Sequence, residues 1–161
     1  MTGTNSAWTN TGALYVGYSG SSNSLVITNG ASVKNSAGFI GYEANSSNNS
    51  VVVTGTGAAW TNTGILSVGY AGSSNSLVIT NGARVVNSNG YIGYTNNSSN
   101  NIVTVTGVGS AWINNGELEI GQDGSGNSLV ISDGGSVSNR SYSIIGYSTN
   151  SSNNSVLVTG T

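Results

Sequence analysis

Short apolar clusters alternate with Gly-, Ser- and Asn-rich punctuation along the whole chain. Inside each cluster the apolar residues fall at every second position, the period of a strand with one buried face. Leu14 with Val16, Leu66 with Val68 and Leu118 with Ile120 form one such set. Leu25 with Ile27, Val51 with Val53, Leu77 with Ile79 and Val103 with Val105 form a second. The residue between the second pairs varies among Val26, Val52, Thr104 and Leu157, and a position that accepts Thr points outward. A third set is Val33, Val85 and Val137, alternating with Trp8, Trp60 and Trp112. β-branched residues favour strands, and the punctuation stops each run before a helix can nucleate.

The clusters recur with two nested periods. The tryptophans stand 52 residues apart within SAWTNTG, AAWTNTG and SAWINNG. Gly17, Gly41, Gly69, Gly93, Gly121 and Gly146 follow at steps of 24, 28, 24, 28 and 25, the last lengthened in Arg140–Ile144. Each long unit is therefore two related half-units of about 26 residues, six in all. Two asparagine columns accompany the glycines: Asn23, Asn49, Asn75, Asn101, Asn127 and Asn154, and Asn10, Asn35, Asn62, Asn87, Asn114 and Asn139. Three punctuation points and three strands per half-unit describe one three-sided coil. The expected fold is all-β, a right-handed parallel β-helix of about six coils and roughly 30 Å in length. The strict six-residue spacing of left-handed hexapeptide helices is absent. Residues 1–161 read as a single solenoid domain of repeat units near 1–52, 53–104 and 105–157. A Trp needs more room than a Val, and the Trp half-units are the longer ones. Met1 occupies the register of Val53 and the chain closes on Val158-Thr159-Gly160-Thr161, so it reads as a segment of a longer array.

Composition narrows the function. Cys, His and Pro are absent, and Lys34, Arg84 and Arg140 stand against Glu43, Glu117, Glu119, Asp123 and Asp133, a net charge of −2. Three scattered cations cannot neutralise a nucleic-acid backbone. No apolar run approaches the roughly 20 residues of a membrane helix, and no signal peptide follows Met1.

Five features could carry chemistry. The Asn columns read as ladders at the corners, since Asn tolerates the left-handed region and its amide can pair with the Asn above. The Gly column reads as a corner with unusual backbone angles or close approach. Tyr18, Tyr42, Tyr70, Tyr94 and Tyr147 follow their glycines, with Gln122 breaking the row. They form either a packed aromatic ladder or a glycan-stacking row. Glu117 and Glu119 share a strand face with Asp123 nearby, either surface variation or a weak cation site. No catalytic residue and no cofactor motif is read; the enzymatic alternative, a polysaccharide-active β-helix, needs clustered carboxylates with Arg, Lys or His partners on one face, and none of those stands near Glu117 and Glu119 in the sequence. Thr2/Thr4, Thr54/Thr56, Thr104/Thr106 and Thr159/Thr161 suggest an ice-binding array, but Thr104/Thr106 lies out of register and Val108 interrupts the column.

VTVTGVGSAWINNGELEIG and SLVITNGARVVNSNGYIGY resemble a repeat of bacterial autotransporter (type V secretion) passengers and PEP-CTERM surface proteins, and the similarity covers essentially the whole chain. That resemblance implies a β-helical stalk or adhesin outside the cell, without catalysis of its own, contacting glycans or host matrix. Unpaired strand edges at both ends imply self-association.

Overall fold

The computed structural model describes residues 1–160. Eighteen short strands and no helix make up these residues. They assemble into three six-stranded sheets, in which each strand pairs in parallel with its counterpart one coil away. Six three-sided coils are thus stacked in a β-solenoid, as the repeat predicts.

The tryptophan sheet holds Ala7–Thr9, Ser32–Asn35, Ala59–Asn62, Arg84–Asn87, Ala111–Asn114 and Ser136–Asn139. The tyrosine sheet holds Leu14–Val16, Gly38–Ile40, Leu66–Val68, Gly90–Ile92, Leu118–Ile120 and Ser143–Ile145. The valine sheet holds Ser24–Thr28, Ser50–Thr54, Ser76–Thr80, Ile102–Thr106, Ser128–Ser132 and Ser155–Val158. The period-2 reading places the core correctly. Ile27, Val51, Val53, Leu66, Val68, Leu77, Ile79, Val85, Val103 and Val105 are fully buried between the sheets.

The Gly column and the first Asn column interlock, which explains both. All six glycines have positive φ, from 74° to 79°, where a Cβ is disfavoured. Each of the first five also faces an Asn amide of the following coil: Gly17 faces Asn49, Gly41 faces Asn75, Gly69 faces Asn101, Gly93 faces Asn127 and Gly121 faces Asn154. A Cβ at any of them would collide with that amide. The Asn column is a continuous ladder. Asn49 donates its backbone N–H (2.9 Å) and its Nδ2 (3.0 Å) to Oδ1 of Asn75. The same double donation runs from Asn23 to Asn49, Asn75 to Asn101, Asn101 to Asn127 and Asn127 to Asn154.

The second Asn column differs from the expected ladder. Nδ2 of Asn35 donates to Oδ1 of Asn62 (2.5 Å), and Asn87 does the same to Asn114 (2.5 Å). No side-chain bond joins Asn62 to Asn87 or Asn114 to Asn139, and Nδ2 of both Asn62 and Asn114 is buried without a partner. The column is a series of pairs because Trp60 and Trp112 use the remaining acceptors. The indole Nε1 of Trp60 donates to Oδ1 of Asn35 (2.8 Å), and that of Trp112 to Oδ1 of Asn87 (2.7 Å).

The room for Trp60 and Trp112 comes from a glycine, not from the longer half-unit. Opposite Leu14, Leu66 and Leu118 in the tyrosine sheet stand Gly38 and Gly90. A Cβ on Gly38 would lie 2.7 Å from Cζ2 of Trp60, and one on Gly90 would lie 2.7 Å from Cζ2 of Trp112. Each indole therefore reaches back into the space that a Leu would fill in the coil before. Trp/Leu coils alternate with Val/Gly coils, and this alternation is the physical content of the 52-residue period. The sixth coil departs from it: Ser143 takes the Gly place, and its Oγ donates to Oδ1 of Asn139 (3.0 Å), the acceptor a tryptophan uses elsewhere.

Candidate functional site

The outer face of the tyrosine sheet carries two aromatic rows. Tyr18, Tyr42, Tyr70 and Tyr94 stack along the rod with ring centroids 5.1, 4.9 and 4.9 Å apart. Beside them Tyr15 stacks on Phe39 at 5.1 Å. The rows meet edge to face: Tyr15 and Phe39 on Tyr42, Phe39 on Tyr70, and Tyr91 on Tyr94. Offset stacks and T-shaped contacts are the favoured aromatic geometries, and the coil spacing of about 4.8 Å sets the stacking distance. Burial together with the neighbouring phenols raises the pKa of Tyr42 and Tyr70. Tyr42 and Tyr70 each have a ring on both sides along the rod. Tyr18 is 52 % exposed and Tyr147, beyond Gln122, is 60 % exposed.

The second row was not read from the sequence. Its signal was available: Tyr15, Phe39 and Tyr91 each precede a column glycine by two residues, with Ser67 and Glu119 at the equivalent places.

Where aromatics give out, acidic groups take their places. Glu119 pairs with Tyr91 in register and is only 5 % exposed. Its Oε2 is buried without a partner. Burial first, then the negative charges of Glu117 and Asp123, push its pKa up. Glu117 accepts hydrogen bonds from the Tyr91 hydroxyl (2.5 Å) and Nδ2 of Asn89 (3.1 Å). The Tyr142 and Tyr91 hydroxyls together hold its carboxyl below the usual range. Tyr142 is in turn pushed up to about 12, first by its hydrogen bond to Glu117, and burial with the Glu117 bond raises Tyr91 further. Asp123 accepts from Oγ of Ser148 in the next coil.

The fold thus brings Glu117, Glu119 and Asp123 to one region but engages Glu117 and Asp123 with phenol, amide and hydroxyl donors. Among the described residues no three acidic groups form a set that could hold a metal ion. Asn89, Tyr91 and Tyr142 are the partners that sequence reading missed, because each lies about 25 residues from Glu117 and meets it only through stacking.

On the valine sheet Thr28, Thr54, Thr80 and Thr106 form one continuous outward column, preceded by Thr2 and followed by Ser132. Thr104 shares its place with Val26, Val52, Val78 and Val130, so paired threonines do not repeat from coil to coil. Comparisons with protein families, curated proteins and solved structures find no match for this chain.

Proposed function

We propose that this chain is a non-catalytic structural segment, a stalk or adhesin-type passenger of a bacterial surface or secreted protein. The observation that carries the reading is the mode of assembly. Every strand bonds only to the coil above and below, so length grows by adding coils and the outer faces are free to vary. Such arrays have a stability that sums over neighbouring repeats. The resemblance of the repeat to autotransporter and PEP-CTERM passengers supports a place outside the cell. It equally supports weak multivalent contact with glycans or host matrix.

An assay of polysaccharide depolymerisation with and without calcium tests the absence of catalysis. No turnover is expected; turnover abolished by Glu117→Ala with Glu119→Ala would overturn the reading.

A carbohydrate-binding role is the second reading, favoured by the exposed rings of Tyr18 and Tyr147. In that reading glycan-array binding is lost on Tyr18→Ala with Tyr147→Ala. It is barely changed by Tyr70→Ala, whose ring faces lie against Tyr42 and Tyr94.

Self-association belongs to the same proposal. Trp8, Leu14, Val16 and Leu25 line an open apolar groove at one end, and Leu129, Ile131, Val137 and Val156 line another at the opposite end. Light scattering across a concentration series should show mass rising with concentration. A strict monomer at high concentration would count against it.

A further inference from the structure

We propose that one corner of the solenoid is an acceptor edge for N-linked sugars, with Nδ2 of Asn45, Asn97 and Asn150 as the attachment atoms. The chain has several Asn-x-Ser triplets, the acceptor pattern for this modification, and the fold separates them into two kinds. Asn45-Ser46-Ser47, Asn97-Ser98-Ser99 and Asn150-Ser151-Ser152 recur in the same turn of alternate coils. Each turn closes through an equivalent bond: Ser46 N–H to Glu43 O (2.9 Å), Ser98 N–H to Thr95 O (3.0 Å) and Ser151 N–H to Ser148 O (3.0 Å). The coil before pins each Asn backbone, since Oγ of Ser21, Ser73 and Ser125 donates to the carbonyl of Asn45, Asn97 and Asn150.

The backbone is thus held while the side chain is idle. All three asparagines are exposed, and none of their amides is among the side-chain hydrogen bonds of the fold. The turn position takes most residues, and the preceding place changes freely from Ala44 to Asn96 to Thr149. Yet Asn stands in all three turns, with a Ser two places on that is not buried.

The other triplets are committed to structure. Asn48 and Asn153 hold left-handed φ of 58° and 56°, and their middle residues, Asn49 and Asn154, belong to the amide ladder. Asn139 donates Nδ2 to the carbonyls of Ser141 and Tyr142. In Asn96-Asn97-Ser98 the hydroxyl is turned inward, with Ser98 Oγ bonded to the Tyr70 carbonyl (2.9 Å).

The transfer needs an external glycosyltransferase and an activated sugar diphosphate. The bond from sugar C1 to the phosphate oxygen breaks and C1 bonds to Nδ2. One amide proton goes to the enzyme's base, and the diphosphate leaves. Three sugars would line one edge at intervals of two coils, about 10 Å.

Two donors can supply the sugar, a nucleotide or a membrane polyprenyl carrier, and one arm of the test uses each. In the first the folded chain is incubated with a soluble asparagine glycosyltransferase and UDP-glucose. In the second the chain is exported through a host that transfers lipid-linked oligosaccharide. An Asn-Ser-Ser peptide serves as the competence control, and peptide mass spectrometry locates the sites. Up to three additions at Asn45, Asn97 and Asn150 in either arm support the proposal and identify the donor, with one lost for each Asn→Gln change. Modification in neither arm while the peptide is modified would overturn it, as would modification mainly at Asn48, Asn139 or Asn153. Asn45→Gln, Asn97→Gln and Asn150→Gln together should leave the thermal midpoint within about a degree. A large drop would show that these amides serve the fold and would also overturn the proposal.

Discussion

Nε1 of Trp60 donates a 2.8 Å hydrogen bond to Oδ1 of Asn35, one coil earlier in the stack. Both residues are buried, and the pair recurs as Trp112 with Asn87. Trp60→Phe keeps most of the apolar ring but leaves the Asn35 acceptor buried with no donor from the indole. The expected cost is about 1–3 kcal/mol in chemical denaturation. Trp8 is 45 % exposed, so Trp8→Phe should cost much less. Equal costs at the two positions would contradict this role for the pair.

Gly38→Ala tests the alternation itself. Its Cβ would meet Oδ1 of Asn62 at 2.6 Å, Cζ2 of Trp60 at 2.7 Å and Cδ1 of Leu66 at 2.9 Å. Overpacking of this kind costs about 1–3 kcal/mol or more. Combining it with Trp60→Val should recover part of the loss, because the Val then leaves room for the methyl. A combined variant no better than the sum of the single losses, in a double-mutant cycle, would rule out the indole as the obstacle.

Much of this fold is legible in the sequence. Period-2 pairs such as Leu77 with Ile79 fixed the inward faces. The shared phase of Gly41 and Asn49 fixed the coil corners. Less accessible was which partner of the next coil each residue meets. The sequence shows Trp60 and Gly38 as separate punctuation, and only stacking reveals that one fills the gap left by the other. The second Asn column looked like the first because spacing alone cannot show that Trp60 competes for Asn35. For the same reason the donors that reach Glu117, Asn89 and Tyr91 from one adjacent coil and Tyr142 from the other, stay hidden in the sequence.

The amide ladder predicts a gradient along the rod. Asn75 is fully buried, receives two donors from Asn49 and gives two to Asn101. Asn75→Ala orphans groups on both sides and should cost about 1–3 kcal/mol per buried group left unpaired. Asn23 receives no such donor in this structure and is exposed, so Asn23→Ala should cost less. Denaturant midpoints of the two variants decide the matter, and the reverse order would refute a cooperative ladder.

The acidic interruption predicts a pH dependence of defined sign. The folded state raises the pKa of Glu119, so folding favours its protonated form. Stability from this group is present below the ordinary carboxylate range and is lost as pH rises through the raised folded value. Glu119→Gln should therefore raise the melting temperature at neutral pH, with the gain shrinking in mild acid. Glu117 is shifted the other way. Its contribution is present above the ordinary carboxylate range and disappears as pH falls through the depressed folded value, so Glu117→Gln should destabilise at neutral pH. Melting curves of both variants across pH check the pair of signs.

The central claim is that this chain is a rod whose length is set by its count of coils. Removing residues 53–104 excises one whole unit and joins Val52 to Val105, which occupies the register of Val53. Small-angle X-ray scattering of the full and shortened chains measures length and cross-section separately. The account predicts a maximum dimension shorter by about 10 Å, two coils at the strand spacing, with an unchanged cross-sectional radius. A shortened chain of the same length with a thinner or irregular cross-section would contradict it.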